Sequence, residues 1–161
     1  MDDTSIIDKI KSSFSGAVLE SHNFRGDQTV TVEKSRGREL IKFLRDEPSL
    51  AFNFLMDITA VDYMDRKPVR FEIVYHLYSL QFNHRVRVKL PVSEEDCKAD
   101  SVVTLYKTAN WYEREIWDLY GIKFDGHPNM TRILLYEGFK GHPLRKDYPI
   151  NKRQPLIGPM N

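Results

Sequence analysis

The sequence predicts an α+β fold of two layers: a small mixed or mainly antiparallel sheet covered by helices, followed by an extended C-terminal tail. Three observations carry that prediction. Apolar and polar residues alternate with period two in three segments between Phe52 and Leu90, the pattern of strands with one face on a core. Apolar residues recur at helical spacing before and after them. From Asp125 on, Gly126, Pro128, Gly138, Gly141, Pro143, Pro149, Pro155, Gly158 and Pro159 prevent any sustained helix or central strand.

Taken in order, Asp3 or Thr4 can cap a first helix carrying Ile6, Ile7, Ile10 and Phe14, which Gly16 ends. Val18 to Ser21 and Thr29 to Val32 read as short strands joined through Arg25-Gly26-Asp27. Ser35 can cap a second helix with the stripe Leu40, Ile41 and Leu44, closed by Pro48. Gly37 weakens that helix by about 1 kcal/mol relative to alanine. Phe52, Phe54, Met56, Ile58 and Ala60 then share one parity, and Val69, Phe71, Ile73, Tyr75 and Leu77 repeat it. Val86, Val88 and Leu90 alternate with Arg85, Arg87 and Lys89, and Leu80 to Asn83 supplies a hairpin connection. One-sided strands suit a sheet with helices on its apolar face.

After Pro91 the chain reads acidic and polar through Asp100, and Ser101 is expected to open a short helical turn holding Val102, Leu105 and Tyr106. Asn110 and Glu113 have the spacing of a capping box for a last helix. Its apolar face is Tyr112, Ile116, Leu119 and Tyr120, Arg114 and Asp118 are spaced to pair on the other side, and Gly121 suits a left-handed end. Residues 1–124 thus read as a globular domain and 125–161 as an extended, partner-binding tail. Within the tail, Ile133-Leu134-Leu135 is a short strand or an anchor. Because the tail has no core pattern, it is expected to lie on another protein and to exchange its amide protons quickly in the isolated chain.

Bulk properties narrow the function classes. A length of 161 residues with 41% hydrophobic content supports one domain plus an extension, and a formal net charge of +1 gives no field that marks a nucleic-acid binder. The single cysteine, Cys97, excludes an internal disulfide and a cysteine-ligated iron–sulfur cluster within one chain. The N-terminus, with Asp2, Asp3 and Asp8, lacks the basic start and apolar stretch of a signal peptide. No apolar run approaches the ~20 residues that span a bilayer, so membrane association is expected only through a partner.

Several groups could carry chemistry, and each has a bland alternative. Glu113, Arg114, Glu115 and Asp118 read as acid–base carboxylates, as a solvated helix face, or as a polar patch facing a partner. Neighbouring helical positions diverge by about 100° per residue, so Glu113 and Glu115 do not converge on one atom. His127 and His142 each sit in Gly-His-Pro, where glycine and proline shape an extended backbone, and no third ligand has metal-site spacing. Leu144 to Pro149 mixes basic and aromatic residues that suit phosphate or RNA, but Asp147 interrupts them. Neither nucleotide fingerprint nor a nucleophile elbow is present, and the acidic neighbours of Cys97 disfavour its thiolate. A free-standing metal-dependent hydrolase and an RNA-binding adaptor stay as remote alternatives.

The run Glu113-Arg114-Glu115 through Asp118-Leu119-Tyr120-Gly121-Ile122, then His127-Pro128, Arg132-Ile133-Leu134-Leu135 and Gly141-His142-Pro143-Leu144-Arg145-Lys146-Asp147-Tyr148-Pro149, resembles the signature of the C-subunit family of NADH-quinone oxidoreductase, respiratory complex I. That resemblance implies a small peripheral-arm subunit that binds no cofactor itself, with FMN and iron–sulfur clusters in partner subunits. It implies packing against the larger D-subunit, which helps form the quinone site, and a place on the cytoplasmic side of the cell membrane or its organellar equivalent. It nominates Glu113, Arg114, Glu115, Asp118, His127, Arg132, His142, Arg145, Lys146, Asp147 and Tyr148 as partner-interface residues, with none catalytic. Equivalent subunits of membrane-bound hydrogenases and of ferredoxin- or deazaflavin-dependent oxidoreductases share the signature, so the electron donor stays open.

Overall fold

Ile6 and Ile10 lie one helical turn apart, and the computed structural model, which describes residues 4–155, buries both from helix α1 (Thr4–Ser13). Asp3 lies outside the described residues. Gly16 then takes φ +90° and lets the chain turn into β1 (Val18–Phe24). Strand β1 runs antiparallel to β2 (Asp27–Val32) through a turn in which Arg25 and Gly26 both have positive φ. That mirror-image turn matches the strand twist, and the Asn23 Oδ1 accepts the Gly26 N–H at 3.1 Å.

Helix α2 (Lys34–Asp46) begins after Glu33, not at Ser35, and no side chain caps it. Its buried stripe is Gly37, Leu40, Ile41 and Leu44. Gly37 fits here because a Cβ would overlap the Leu90 side chain on the sheet below. The glycine that lowers helix propensity is what lets helix and sheet close up.

The sheet continues with β3 (Phe54–Asp62), β4 (Phe71–Ser79) and β5 (His84–Val92). Spatial order is β1-β2-β5-β4-β3, with β2 and β5 parallel and the other neighbours antiparallel, so the sheet is mixed. The hairpin through Leu80 to Asn83 forms as the pattern predicts. Phe71, Ile73, Tyr75 and Leu77 of β4 are fully buried among Val86, Val88 and Leu90, with both helices packed into the same core. The opposite face carries Thr29, Arg87, His76 and Asp57 in one row across four strands.

Two expectations from the sequence are corrected in this sheet. A bulge at Met56 shifts the β3 register, so Leu55 and Ile58 face the core while Phe54 and Met56 are exposed. One extra residue reverses parity upstream of it. Val69 is exposed and precedes β4. Glu72, buried at a polar-parity position, is held ionised by Lys89 at 2.9 Å and Lys67 at 3.0 Å.

Beyond the sheet, the acidic stretch hides a short strand. β6 (Lys98–Asp100) pairs in parallel with β7 (Lys123–Asp125). Ser101 opens the expected short helical turn: its Oγ accepts the Val103 N–H at 3.2 Å, and the Val102 carbonyl accepts the Leu105 and Tyr106 N–H groups, each at 2.9 Å. Helix α3 (Ala109–Tyr120) lies along β3 and ends at Gly121 in the left-handed region, φ +79°. From Gly126 to Pro155 the chain forms neither helix nor strand. Among the described residues no helix is long and apolar enough to cross a membrane.

Gly37→Val should lower stability by about 1–3 kcal/mol, the usual penalty for overpacking a closed core. Urea unfolding measures it, and pairing the change with Leu90→Ala should recover part of the loss.

Candidate functional site

Helix α3 is where the signature residues meet. Asn110 does not cap it; the helix already begins at Ala109, and Glu113 turns inward. The fully buried Glu113 carboxylate accepts the Ser101 hydroxyl and the Val102 N–H, each at 2.7 Å. Burial dominates over those two hydrogen bonds and pushes its pKa up to about 7. The buried Tyr75 phenol is pushed upward by the same burial and by the Glu113 charge, and stays neutral.

One and a half turns on, Asp118 is also fully buried. It does not pair with Arg114. Its Oδ1 accepts Arg132 Nη1 at 2.5 Å, and its Oδ2 accepts the backbone N–H groups of Ile133, Leu134 and Leu135 at 3.1, 2.9 and 2.9 Å. Burial pushes the carboxyl upward. The Leu135 N–H, the Arg132 guanidinium and the other two N–H groups outweigh it and hold the pKa below the usual carboxylate range. Ile133-Leu134-Leu135 is therefore an anchor around an anion, not a strand.

Arg132 completes the anchor. Its Nη2 donates to the Phe139 carbonyl at 2.8 Å, and its guanidinium lies over the Trp117 and Phe139 rings. Arg114 donates to the Thr131 and Arg132 carbonyls at 3.0 and 2.8 Å. His142 Nδ1 gives its hydrogen to the Asp118 carbonyl at 2.9 Å, and burial lowers the ring's pKa. His127 Nε2 lies 3.0 Å from the Asn110 carbonyl, while its Nδ1 accepts the Asn129 N–H. Both rings are engaged as hydrogen-bonding struts, and among the described residues no group of three or more His, Cys, Asp or Glu is placed to hold a metal ion.

A second charged hub lies at the end of the sheet. Arg70, with its side chain 10% exposed, holds Asp62 through Nε and Nη2 at 3.1 and 3.0 Å, Glu94 at 2.6 Å and Asp147 at 2.7 Å. Asp62 also accepts the Lys146 N–H at 2.8 Å. Arg145 donates to the Tyr120 carbonyl at 2.5 Å, and its Nη2 approaches the Cys97 sulfur at 3.6 Å. Burial, countered in part by Arg145, raises the Cys97 thiol. Tyr148 stacks on Phe139 at 6.1 Å, and its hydroxyl accepts the Gln154 amide at 2.7 Å.

The predicted set is thus gathered, but mostly inward. Glu113, Arg114, Asp118, His127, Arg132, His142 and Arg145, with the Lys146 backbone, Asp147 and Tyr148, tie the segment after Asp125 onto its own domain. Glu115 and the Lys146 side chain face solvent instead. Helix α3 and the sheet end supply a surface on the inner side of the segment. The outward side shows Leu134, Leu144 and Ile150 at 60, 47 and 105% exposure. Sequence reasoning misses Asp62, Arg70 and Glu94, although Asp62 follows Ile58 and Ala60 at core-facing parity. An open cleft of 670 Å³ at the start of α3 is lined, among the described residues, by Lys107, Thr108, Asn110, Trp111 and Tyr112, without a carboxylate, histidine or thiol.

Comparison with known proteins adds to this geometry. The model of a family described as the 30 kDa subunit of respiratory-chain NADH dehydrogenase matches residues 30–154. The NADH-quinone oxidoreductase C-subunit of Citrifermentans bemidjiense is 48% identical over 152 residues, 93% of this chain and 92% of that protein. The Geobacter sulfurreducens C-subunit is 42% identical over 93% of each chain. A trypsin-resistant fragment of Nqo5 superposes with a TM-score of 0.67 at 31% identity, covering 78% of this chain and 97% of that one. A chain of an archaeal membrane-bound sulfane sulfur reductase superposes at 0.76 over 92% of this chain and 86% of that one; at 22% identity it reports the fold alone.

Glu113→Gln gives a pH test of the buried carboxyl. Its folded pKa is raised, so the native state binds the proton more tightly than the unfolded chain. Native stability should therefore fall as pH rises from the unfolded value toward about 7. Thermal unfolding from pH 5 to 8 should show that decline in the parent chain and a flatter profile in the variant.

Proposed function

We propose, from the premise that this chain belongs to the family of the 30 kDa subunit of respiratory-chain NADH dehydrogenase, that it is a non-catalytic structural subunit of a proton-translocating NADH:quinone oxidoreductase. In this reading it sits in the peripheral arm, on the cytoplasmic side of the membrane, and supports the quinone-reducing module by binding the D-subunit. The observation that carries the reading is the inward use of the signature. Most of its charged groups are spent on shaping the C-terminal segment, which leaves the apolar side chains of Leu134, Leu144 and Ile150 exposed. A neighbour that fully buries such side chains gains about 1.5–3 kcal/mol for each.

The donor chemistry of the chain fits a supporting role. A four-thiolate cluster site needs more than the one cysteine present, and that thiol is half-buried beside Arg145. The reading therefore places FMN and iron–sulfur clusters in other subunits. Glu113 and Asp118, the two buried carboxylates of α3, already have their oxygens filled by the chain's own donors. A purified chain that oxidised NADH unaided would contradict this assignment.

Leu134→Asp combined with Leu144→Asp tests docking through these exposed side chains. Both sites are exposed, so unfolding of the isolated chain should change by no more than about 0.5 kcal/mol for each site. Recovery of the D-subunit with the tagged chain from membranes should fall by about tenfold or more, since charges on a desolvated interface disfavour binding strongly. Full recovery of the D-subunit with normal quinone-reducing turnover would refute the proposed interface.

A further inference from the structure

The C-terminal segment occupies one end of the sheet, where Asp62, Arg70 and Glu94 gather. The opposite end of the same strands has its own surface. There, on the face away from the helices, the strand registers align one row. Phe24 pairs with Asp27, whose β2 neighbour Gln28 pairs with Val86, so Asp27 lies beside Arg85; Arg85 pairs with Tyr78, and Tyr78 with Phe54. Phe24 and Phe54 are 64 and 46% exposed. Met56, pushed outward by the β3 bulge, and Leu80, at the β4–β5 turn, add 40 and 64% exposed apolar side chains at this end. At ~4.8 Å between strands, five strands span about 19 Å of surface.

The arginines here are configured unlike those at the tail end. Arg70, Arg132 and Arg145 each have carboxylate partners within 4 Å. Among the described residues, neither Arg25 nor Arg85 forms an ion pair. Arg25 instead lies 5.1 Å over the Phe24 ring and Arg85 lies 5.5 Å over the Tyr78 ring. Arg87, next along β5, has only a loose contact with Asp27 at 3.8 Å and a hydrogen bond to Thr29 at 3.1 Å. Aromatic rings thus hold the guanidinium groups in place while leaving their hydrogen-bond forks open. Tyrosine, phenylalanine and arginine are the residues enriched at the centres of protein interfaces, and an unpaired arginine fork matches a carboxylate.

We infer that this end of the sheet is a second docking surface, which receives an acidic segment with apolar anchors from another protein of the assembly. The inference rests on the chain being a subunit of a complex, and it adds a contact at the far end from the C-terminal segment. The chain would then bridge two neighbours. Charge complementarity selects the occupant: two unpaired arginines and a loosely held third ask for carboxylates, and Phe24, Phe54 and Leu80 ask for apolar side chains between them.

The test places a photo-crosslinking benzoylphenylalanine at Phe24 in one strain and at Leu144 in another, and irradiates the assembled complex before mass spectrometry. The expected result is a crosslink from position 24 to a peptide bearing at least two Asp or Glu residues, on a surface other than the one reached from position 144. Charge reversal by Arg25→Glu with Arg85→Glu should lower that yield by about tenfold or more, while leaving the position-144 crosslink and the unfolding of the isolated chain unchanged. A crosslink at 144 with none at 24, or only to lipid, overturns the second surface and leaves the subunit reading standing. No crosslink at either position overturns both. A position-24 crosslink indifferent to the double reversal overturns the acidic character of the partner.

Discussion

The C-terminal third of this chain depends on one buried carboxylate. Asp118 sits on α3 with no exposed surface, and it replaces water with Arg132 and three consecutive backbone N–H groups. An isolated carboxylate in that position would cost several kcal/mol. Fully paired, it becomes the partner that a segment without helix or strand otherwise lacks. Neutral hydrogen bonds contribute roughly 1 kcal/mol each, whereas leaving one member of a buried ion pair unmatched costs about 3–5 kcal/mol. The ionic anchor, more than any single backbone contact, decides whether residues 131–142 keep their shape.

A second pin makes the arrangement rigid in direction as well as position. Arg70 gathers Asp62 and Glu94 from the sheet with Asp147 from the segment, and Asp62 takes the Lys146 N–H besides. Between the two pins the chain crosses the end of α3 at Gly121. That residue needs a left-handed backbone, and any Cβ there would come within 2.7 Å of His142 and 2.9 Å of Arg145. Gly121 therefore ends the helix and leaves room for the two side chains that fasten the segment over it. Leu134, Leu144 and Ile150 stay exposed beside these inward commitments, and a preformed segment loses less entropy on docking than a disordered one.

Much of the fold was legible because it rests on periodicity. The β4 and β5 strands, their hairpin, the buried stripes of α1 and α2 and the Gly121 terminus follow from spacing alone. The departures have physical reasons. The bulge at Met56 is a single inserted residue with no compositional mark, yet it moves Phe54 outward. Strand β6 is three residues long and pairs with β7 across the whole of α3, a contact that local pattern does not encode. In the site, the residue types were found but not their direction. Helical spacing paired Arg114 with Asp118 as surface neighbours, whereas tertiary packing buried Asp118 and supplied Arg132 from the following segment. A carboxylate that looks like part of a solvated face on a helical projection can be the centre of an anion nest when a later stretch folds over it.

The central claim is that Asp118 organises the segment within the single chain, before any partner arrives. Amide hydrogen exchange of the isolated protein at neutral pH, resolved at Ile133, Leu134 and Leu135, tests it most directly. Protection is expected at all three. Because the folded Asp118 is held below the usual carboxylate range, protection should persist through mild acid and be lost as pH falls through its folded pKa. Exchange at the rate of an unstructured peptide at neutral pH would contradict it.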